Sequence, residues 1–274
     1  MGKRQEIRES RKRARTRNRI LMIVMVAVGA LLIGFAFILP MMNIFTDTAN
    51  KTPNASVITP ITPKVFNTRV DGQHLGDPNA PVKVDVWEDF QCPSCMRYSQ
   101  QVESQVITNY VEAGKVFYTY HFYPMIDGGD INGESHQSAS AAMCASEQGR
   151  FWDYHAILFA NWSGENEGSF SNPRLVAFAE SLGLDMNAFN TCFQAGRYAD
   201  LINQDYLDGQ TAGVSGTPSV FVDGQIVTPG FIPSYDQLAA AIETALAGKS
   251  FSNCECYPFA IDYSERMVIQ GVLR

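Results

Sequence analysis

The stretch Val82-Lys83-Val84-Asp85-Val86-Trp87-Glu88-Asp89-Phe90-Gln91-Cys92-Pro93-Ser94-Cys95 changes period partway along, and that change decides the fold class. Val82, Val84 and Val86 alternate with Lys83, Asp85 and Trp87, which predicts a strand with one apolar face. Beyond Cys92 the spacing becomes helical: Cys95, Tyr98, Val102, Val106 and Tyr110 fall on one face, and Gly114 is a helix stop. Residues 116–123, rich in Val, Phe, Tyr and Thr, predict the next strand. Strand, helix and strand in that order open a βαβ unit.

Cys92-Pro93-Ser94-Cys95 therefore stands where a strand turns into a helix. The first helical turn offers unpaired N–H groups and a partial positive charge, so a thiolate on Cys92 is favoured there. Cys95, three residues on, can close a disulfide with it. Pro93 suits the first helical position, which needs no donor, and Ser94 can donate to the thiolate. Glu88 and Asp89 oppose a second negative charge. They are expected to be partly solvated and screened, leaving the helix terminus to prevail. The rival readings of the spacing are half a zinc site and a structural disulfide. Zinc would need Cys254 and Cys256 as partners, and their C-x-C spacing is not that of a zinc ribbon, so no metal or other cofactor is expected.

Outward from this centre, Asp77-Pro78-Asn79-Ala80-Pro81 is a turn cluster, and folding is expected to begin near Val70. Residues 125–213 read as helical, with an Ala-rich segment at 138–148, an aromatic one at 150–161, and Asn172-Pro173 starting another. Two further helices are expected over 185–195 and 198–209. The strands 219–222 and 225–227 flank Asp223-Gly224, a hairpin signal, and residues 235–247 predict a closing helix. Trp87, Trp152 and the strand 116–123 read as core. His74, His121, His136 and His155 show no ligand spacing and read as surface or packing residues.

The N-terminal region gives the cellular setting. Residues 1–19 hold nine Lys and Arg against Glu6 and Glu9, and residues 20–42 contain no charge at all. Twenty-three apolar residues span the ~30 Å hydrocarbon core. The basic tail predicts a cytoplasmic N-terminus, a single-pass anchor in the plasma membrane and an extracytoplasmic body; a cleaved signal peptide is the alternative. Beyond the tail 12 basic and 26 acidic residues remain, a charge of −14 that argues against nucleic-acid binding. Residues 43–69, rich in Thr, Asn and Pro, are expected to form a solvated spacer before a domain at 70–248. A tail follows at 249–274.

Six cysteines outside the cytoplasm permit disulfides in 15 connectivities. Cys144 and Cys192, in helical settings with no activating feature nearby, are expected to form a structural bridge; the alternative is two buried free thiols. A bridge between Cys254 and Cys256 would be strained and labile; the equal alternative is that they are unpaired or pair elsewhere.

Three motifs in order resemble the DsbA-like branch of the thioredoxin superfamily, over about residues 76–246. Glu88-Asp89-Phe90-Gln91-Cys92-Pro93-Ser94-Cys95 is similar to its active-site segment. Ala141-Ala142-Met143-Cys144-Ala145-Ser146-Glu147-Gln148-Gly149-Arg150-Phe151-Trp152-Asp153-Tyr154-His155 is similar to its inserted helical subdomain, and Val214-Ser215-Gly216-Thr217-Pro218-Ser219-Val220-Phe221-Val222-Asp223-Gly224 to its cis-proline loop and strand. The resemblance implies an α/β thioredoxin fold with a helical insertion and protein-disulfide oxidoreductase activity. Cys92 would attack, Cys95 would resolve, Pro218 would be cis beside them, and Thr217 would offer its backbone to a substrate peptide. Implied partners are exported proteins bearing cysteine thiols and a recharging membrane thiol oxidase of the DsbB or vitamin K epoxide reductase type; a monomer is expected. A disulfide reductase or isomerase is the nearest alternative, and a non-catalytic binding or assembly module held by disulfides or zinc is the alternative of another class. One departure stands out: thioredoxin-like proteins often carry a buried acid six residues before the first cysteine, and that position here is Val86.

Overall fold

The computed structural model describes residues 57–249 and, outside them, Met25. The basic tail at 1–19, the apolar run at 20–42 apart from Met25, and Cys254 and Cys256 lie outside the described residues. Among the described residues no helix is long and apolar enough to cross a membrane.

The alternation read from the sequence builds β3 (Val82–Glu88). It pairs in parallel with β4 (Val116–Phe122), and these two form the centre of a six-stranded sheet ordered β1-β2-β4-β3-β5-β6. The outer strands are all antiparallel: β1 (Val70–Asp71) and β2 (His74–Leu75) beyond β4, β5 (Ser219–Val222) and β6 (Gln225–Ile226) beyond β3. The β5–β6 turn is Asp223-Gly224, both at positive φ (48° and 76°), as a two-residue hairpin of matching twist requires.

The helix after Cys92, here α1, runs as α-helical Pro93–Tyr98, π-helical Ser99–Glu103, α-helical Ser104–Val106 and π-helical Ile107–Val111. Cys95, Tyr98, Val102, Val106 and Tyr110 are all buried, as their spacing predicts. Between β4 and β5 lie α2 (Glu134–Ser146), α3 (Phe151–Ala160), α4 (Asn172–Ser181), α5 (Met186–Gln194) and α6 (Ala199–Thr211). This is the helical insertion. The closing helix, α7 (Tyr235–Leu246), starts with a capping box between Ser234 and Gln237 and packs on β3, β5 and α1.

The two faces of β3 divide the core. Val82, Val84 and Val86 belong to the main cluster with α1 and the insertion. Trp87 lies on the other face with Tyr123, Val214 and Phe221, covered by α6. Gly209 makes that contact close: a β-carbon there would stand 2.8 Å from Trp87 Cδ1 and Tyr123 Cδ2.

Cys144 and Cys192 form a disulfide joining α2 to α5 across 48 residues. The segment read as solvated spacer differs from that expectation over its described part. Ile58, Ile61 and Phe66 pack against the core. Thr59 exchanges hydrogen bonds with the Asn161 side chain, at 2.7 and 2.9 Å, and Lys64 N donates to Asp153. Pro and Thr set the composition, but three apolar side chains and a two-point amide contact lay the chain along α3.

Candidate active site

Cys92 is the N-cap of α1, with extended backbone angles (φ −74°, ψ 121°), and Pro93 follows at the first helical position. Cys92 is 9% exposed and Cys95 is fully buried; the two stand as unbridged thiols. Their acidities separate. A hydrogen bond from the Cys95 thiol is the largest influence lowering Cys92, followed, against the cost of burial, by the Thr217 side chain and the N–H groups of Cys95 and Ser94; the result is about 6. Burial pushes Cys95 well up, with the Cys92 hydrogen bond and the Glu88 charge adding to it. The helix terminus thus contributes, but the neighbouring thiol contributes more than the sequence suggested. Ser94 serves Cys92 through its backbone, while its hydroxyl accepts from Arg97 at 3.0 Å.

The third motif arrives from the far side of the insertion. The Thr217–Pro218 peptide bond is cis, and Thr217 O accepts a hydrogen bond from Cys92 Sγ at 3.3 Å. Met125, 39% exposed, stands beside this loop, its Sδ 3.8 Å from Thr217 Oγ1. Cys144 and Cys192 sit apart in the insertion as a structural bridge.

Gln91, which precedes Cys92, is a fixing point that sequence reasoning missed. It is fully buried; its Nε2 donates to Asp127, Ser135 and Asn166, and its Oε1 accepts from Asn166 N. Trp162 Nε1 donates to its carbonyl at 2.6 Å. The insertion therefore grips the active-site turn directly. A glutamine between Phe90 and Cys92 carries no pattern that would announce this.

Glu88 and Asp89 correct the expectation of solvated carboxylates: they are 1% and 2% exposed. Asp89 accepts from Gln91 N and Ile126 N, and burial raises it to about 6 against those bonds. Neither Glu88 oxygen has a regular hydrogen-bond partner. Burial drives Glu88 well up; the Glu103 and Cys92 charges add to this, and a weak contact with the Cys95 thiol opposes it. The missed signal is phase: Glu88 continues the series Val82, Val84, Val86 and so points into the core, below Cys95. Val86 leaves the usual acid position empty, and Glu88, two residues on, brings a carboxyl to the same face.

Residues 68–244 match the family model described as Thioredoxin. The chain is 30% identical over 179 residues to the Na(+)/H(+) antiporter NhaA 1 of Salinispora arenicola, a match covering 65% of this chain and 25% of the antiporter. The chain thus spans about a quarter of that relative's length. It is 26% identical to the probable disulfide bond formation protein D of Bacillus cereus, over 64% of this chain and 78% of that one. Among solved structures, oxidised BdbD from Bacillus subtilis superposes with a TM-score of 0.58 at 21% identity, covering 68% of this chain and all of that one, which is a likeness of fold.

Proposed function

The chain belongs to the thioredoxin family and is DsbA-like, and from that premise we propose that it is a thiol–disulfide oxidoreductase that oxidises dithiols of exported proteins. The observation that carries this reading is the separation between Cys92, lowered to about 6, and Cys95, buried and well raised. A stabilised thiolate stabilises the reduced form, which makes the Cys92–Cys95 disulfide an oxidant.

The reaction runs in two displacements. A substrate thiolate attacks Cys92 Sγ, forming a mixed disulfide; the Cys92–Cys95 bond breaks and its electron pair goes to Cys95. Buried Cys95 cannot remain a thiolate, so it takes a proton, and Glu88 is the acid placed to give it. A second substrate thiolate then attacks the substrate sulfur of the mixed disulfide. Cys92 leaves as a thiolate, needing no proton. The substrate ends oxidised and the protein reduced. Glu88 then regains a proton from solvent; on recharging by a membrane thiol oxidase the route runs in reverse, Glu88 releasing that proton and accepting the one Cys95 gives up. Thr217, with its carbonyl already turned to Cys92, would align an extended substrate peptide.

The apolar run at 20–42 would anchor the domain outside the membrane, in the plane of its recharging partner, as a monomer. The nearest other reading is a reductase or isomerase. A glutathione-buffer titration separates them: a potential as reducing as that of a cytoplasmic thioredoxin, ~−270 mV, would overturn the oxidase reading. Protease treatment of intact spheroplasts tests the topology; a mature protein beginning beyond Met42 would mark a signal peptide instead.

A further inference from the structure

Beneath Cys95 lies a second buried acid that the disulfide chemistry does not by itself require. Glu103, fully buried, sits on the first π-helical turn of α1. Its Oε2 accepts from Ser99 Oγ at 2.9 Å and its Oε1 from Tyr118 OH at 3.1 Å. His155 on α3 is 2% exposed; its Nε2 stands 3.8 Å from Glu103 Oε1 without a hydrogen-bond partner. One donor atom each from Glu88, Glu103 and His155 lies within 4.8 Å of the others.

Two ionised carboxylates do not persist that close together in a dry interior without a counter-charge. His155 supplies none, because burial holds its imidazole down to about 4 despite Glu103. One proton shared by the two acids resolves the conflict, and the hydrogen bonds decide where it sits. Glu103 has a hydroxyl on each oxygen and is the better anion; Glu88 has no regular donor on either oxygen and is the better acid.

We propose that Glu103 is a positioning residue: as a buried carboxylate it keeps a proton on Glu88, and so keeps Glu88 loaded for the moment the active-site disulfide opens. This deepens the reading above and rests on it for the fate of the proton. The groups facing Glu88 agree with the assignment. Cys92, Cys95, Tyr98 and Glu103 come from α1, Tyr118 and Tyr120 from β4, Asp89 from its own segment and His155 from α3. The three tyrosines are driven well up by burial and stay neutral. Among the described residues, Lys64 is a cation whose charge reaches His155, and it lowers that imidazole further.

Infrared titration of the carboxyl band in the purified full chain, oxidised and reduced, tests the proposal without substrate. A protonated band that disappears in Glu88→Gln, and not in Asp89→Asn, identifies Glu88. Glu103→Gln keeps an acceptor but removes the charge, and should move loss of that band to lower pH by about one unit or more, a tenfold change in the protonated ratio. Ser99→Ala takes a hydroxyl from Glu103 and should move it to higher pH. The high-pH limb of mixed-disulfide formation with glutathione should follow both shifts. Ser99 is half-buried, so its variant stays informative if Glu103→Gln fails to fold. An absent protonated band at neutral pH, an unmoved midpoint, or shifts of the same sign in the two variants overturns the proposal. If the band shifts as stated but Cys92 exchanges no disulfides, the oxidoreductase reading fails and the placement of the proton stands.

Discussion

His121 Nδ1 lies 3.3 Å from Asp205 Oδ1, so a charge on β4 holds α6, the last helix of the insertion. The same ring reaches Asp85 on β3 through Nε2 at 3.1 Å and stacks on Trp87 at 4.4 Å. Burial pulls the imidazole down, but Asp205 and Asp85 together carry it up to about 9.

That clamp predicts a pH dependence. A histidine raised on folding stabilises fully below its ordinary value near 6.5, and the gain is lost as pH rises through about 9. The denaturant midpoint should therefore fall between pH 7 and 10. Asp205→Asn should cost about 1–3 kcal/mol at pH 7 and flatten that fall. An equal decline in both proteins would show that the clamp contributes nothing.

Cys92 should titrate with a midpoint of about 6 by thiolate absorbance. Its value is lowered on folding, so the reduced protein gains stability from about pH 6 upward to the ordinary thiol range, and loses it as pH falls. Each unit of lowering corresponds to ~1.4 kcal/mol, or ~30 mV for a two-electron couple. Cys95→Ser should leave mixed disulfides on Cys92 that accumulate with cysteine-containing exported proteins. Cys92→Ser should accumulate none.

In the proposed mechanism Glu88 serves the chemistry at the expense of stability. Its acidity is suppressed on folding, so above the ordinary carboxyl range the buried group opposes the fold, and the penalty fades as pH falls towards that range. Glu88→Leu should stabilise the protein at pH 7 by about 1–3 kcal/mol, the cost of an unsatisfied buried polar group, and less at pH 4. The same variant should slow mixed-disulfide formation at least tenfold. A stabilised protein of unchanged rate would remove Glu88 from the mechanism.

Replacing both Cys144 and Cys192 with alanine should cost about 4 kcal/mol, the loop-closure term for a bridge across 48 residues. The Cys92 titration should stay where it is. Thermal unfolding and thiolate absorbance on one preparation check both statements.

Much of this was legible in the residues. Val82, Val84 and Val86 wrote the central strand, and Asp223-Gly224 the hairpin, because period 2 and positive φ are local demands. Glu103 was not legible. The helical face drawn through Cys95, Tyr98, Val102, Val106 and Tyr110 assumes 3.6 residues per turn, whereas Ser99–Glu103 and Ile107–Val111 are π-helical. The wider turns bring Glu103 inward beside Val102. His155 looked scattered because no ligand spacing surrounds it. It lies on α3 among Phe151, Trp152, Ile157, Leu158 and Phe159, all buried, so the helix has little solvent face on which to place an imidazole. Gln91 needed the tertiary structure, since its partners Asp127, Ser135 and Asn166 lie 36, 44 and 75 residues away along the chain.

The bridge between α2 and α5 has a consequence for how a pool of this protein comes into being. Cys144 and Cys192 are 1% and 0% exposed, so the bond must be made before those helices close over it. A freshly synthesised copy is thus itself a client, carrying two thiols that await the same oxidation it is proposed to perform. Finished copies can ripen their successors. Maturation then feeds on its own product, and a culture stripped of disulfides should recover only after a lag, with a sigmoid rather than a linear return.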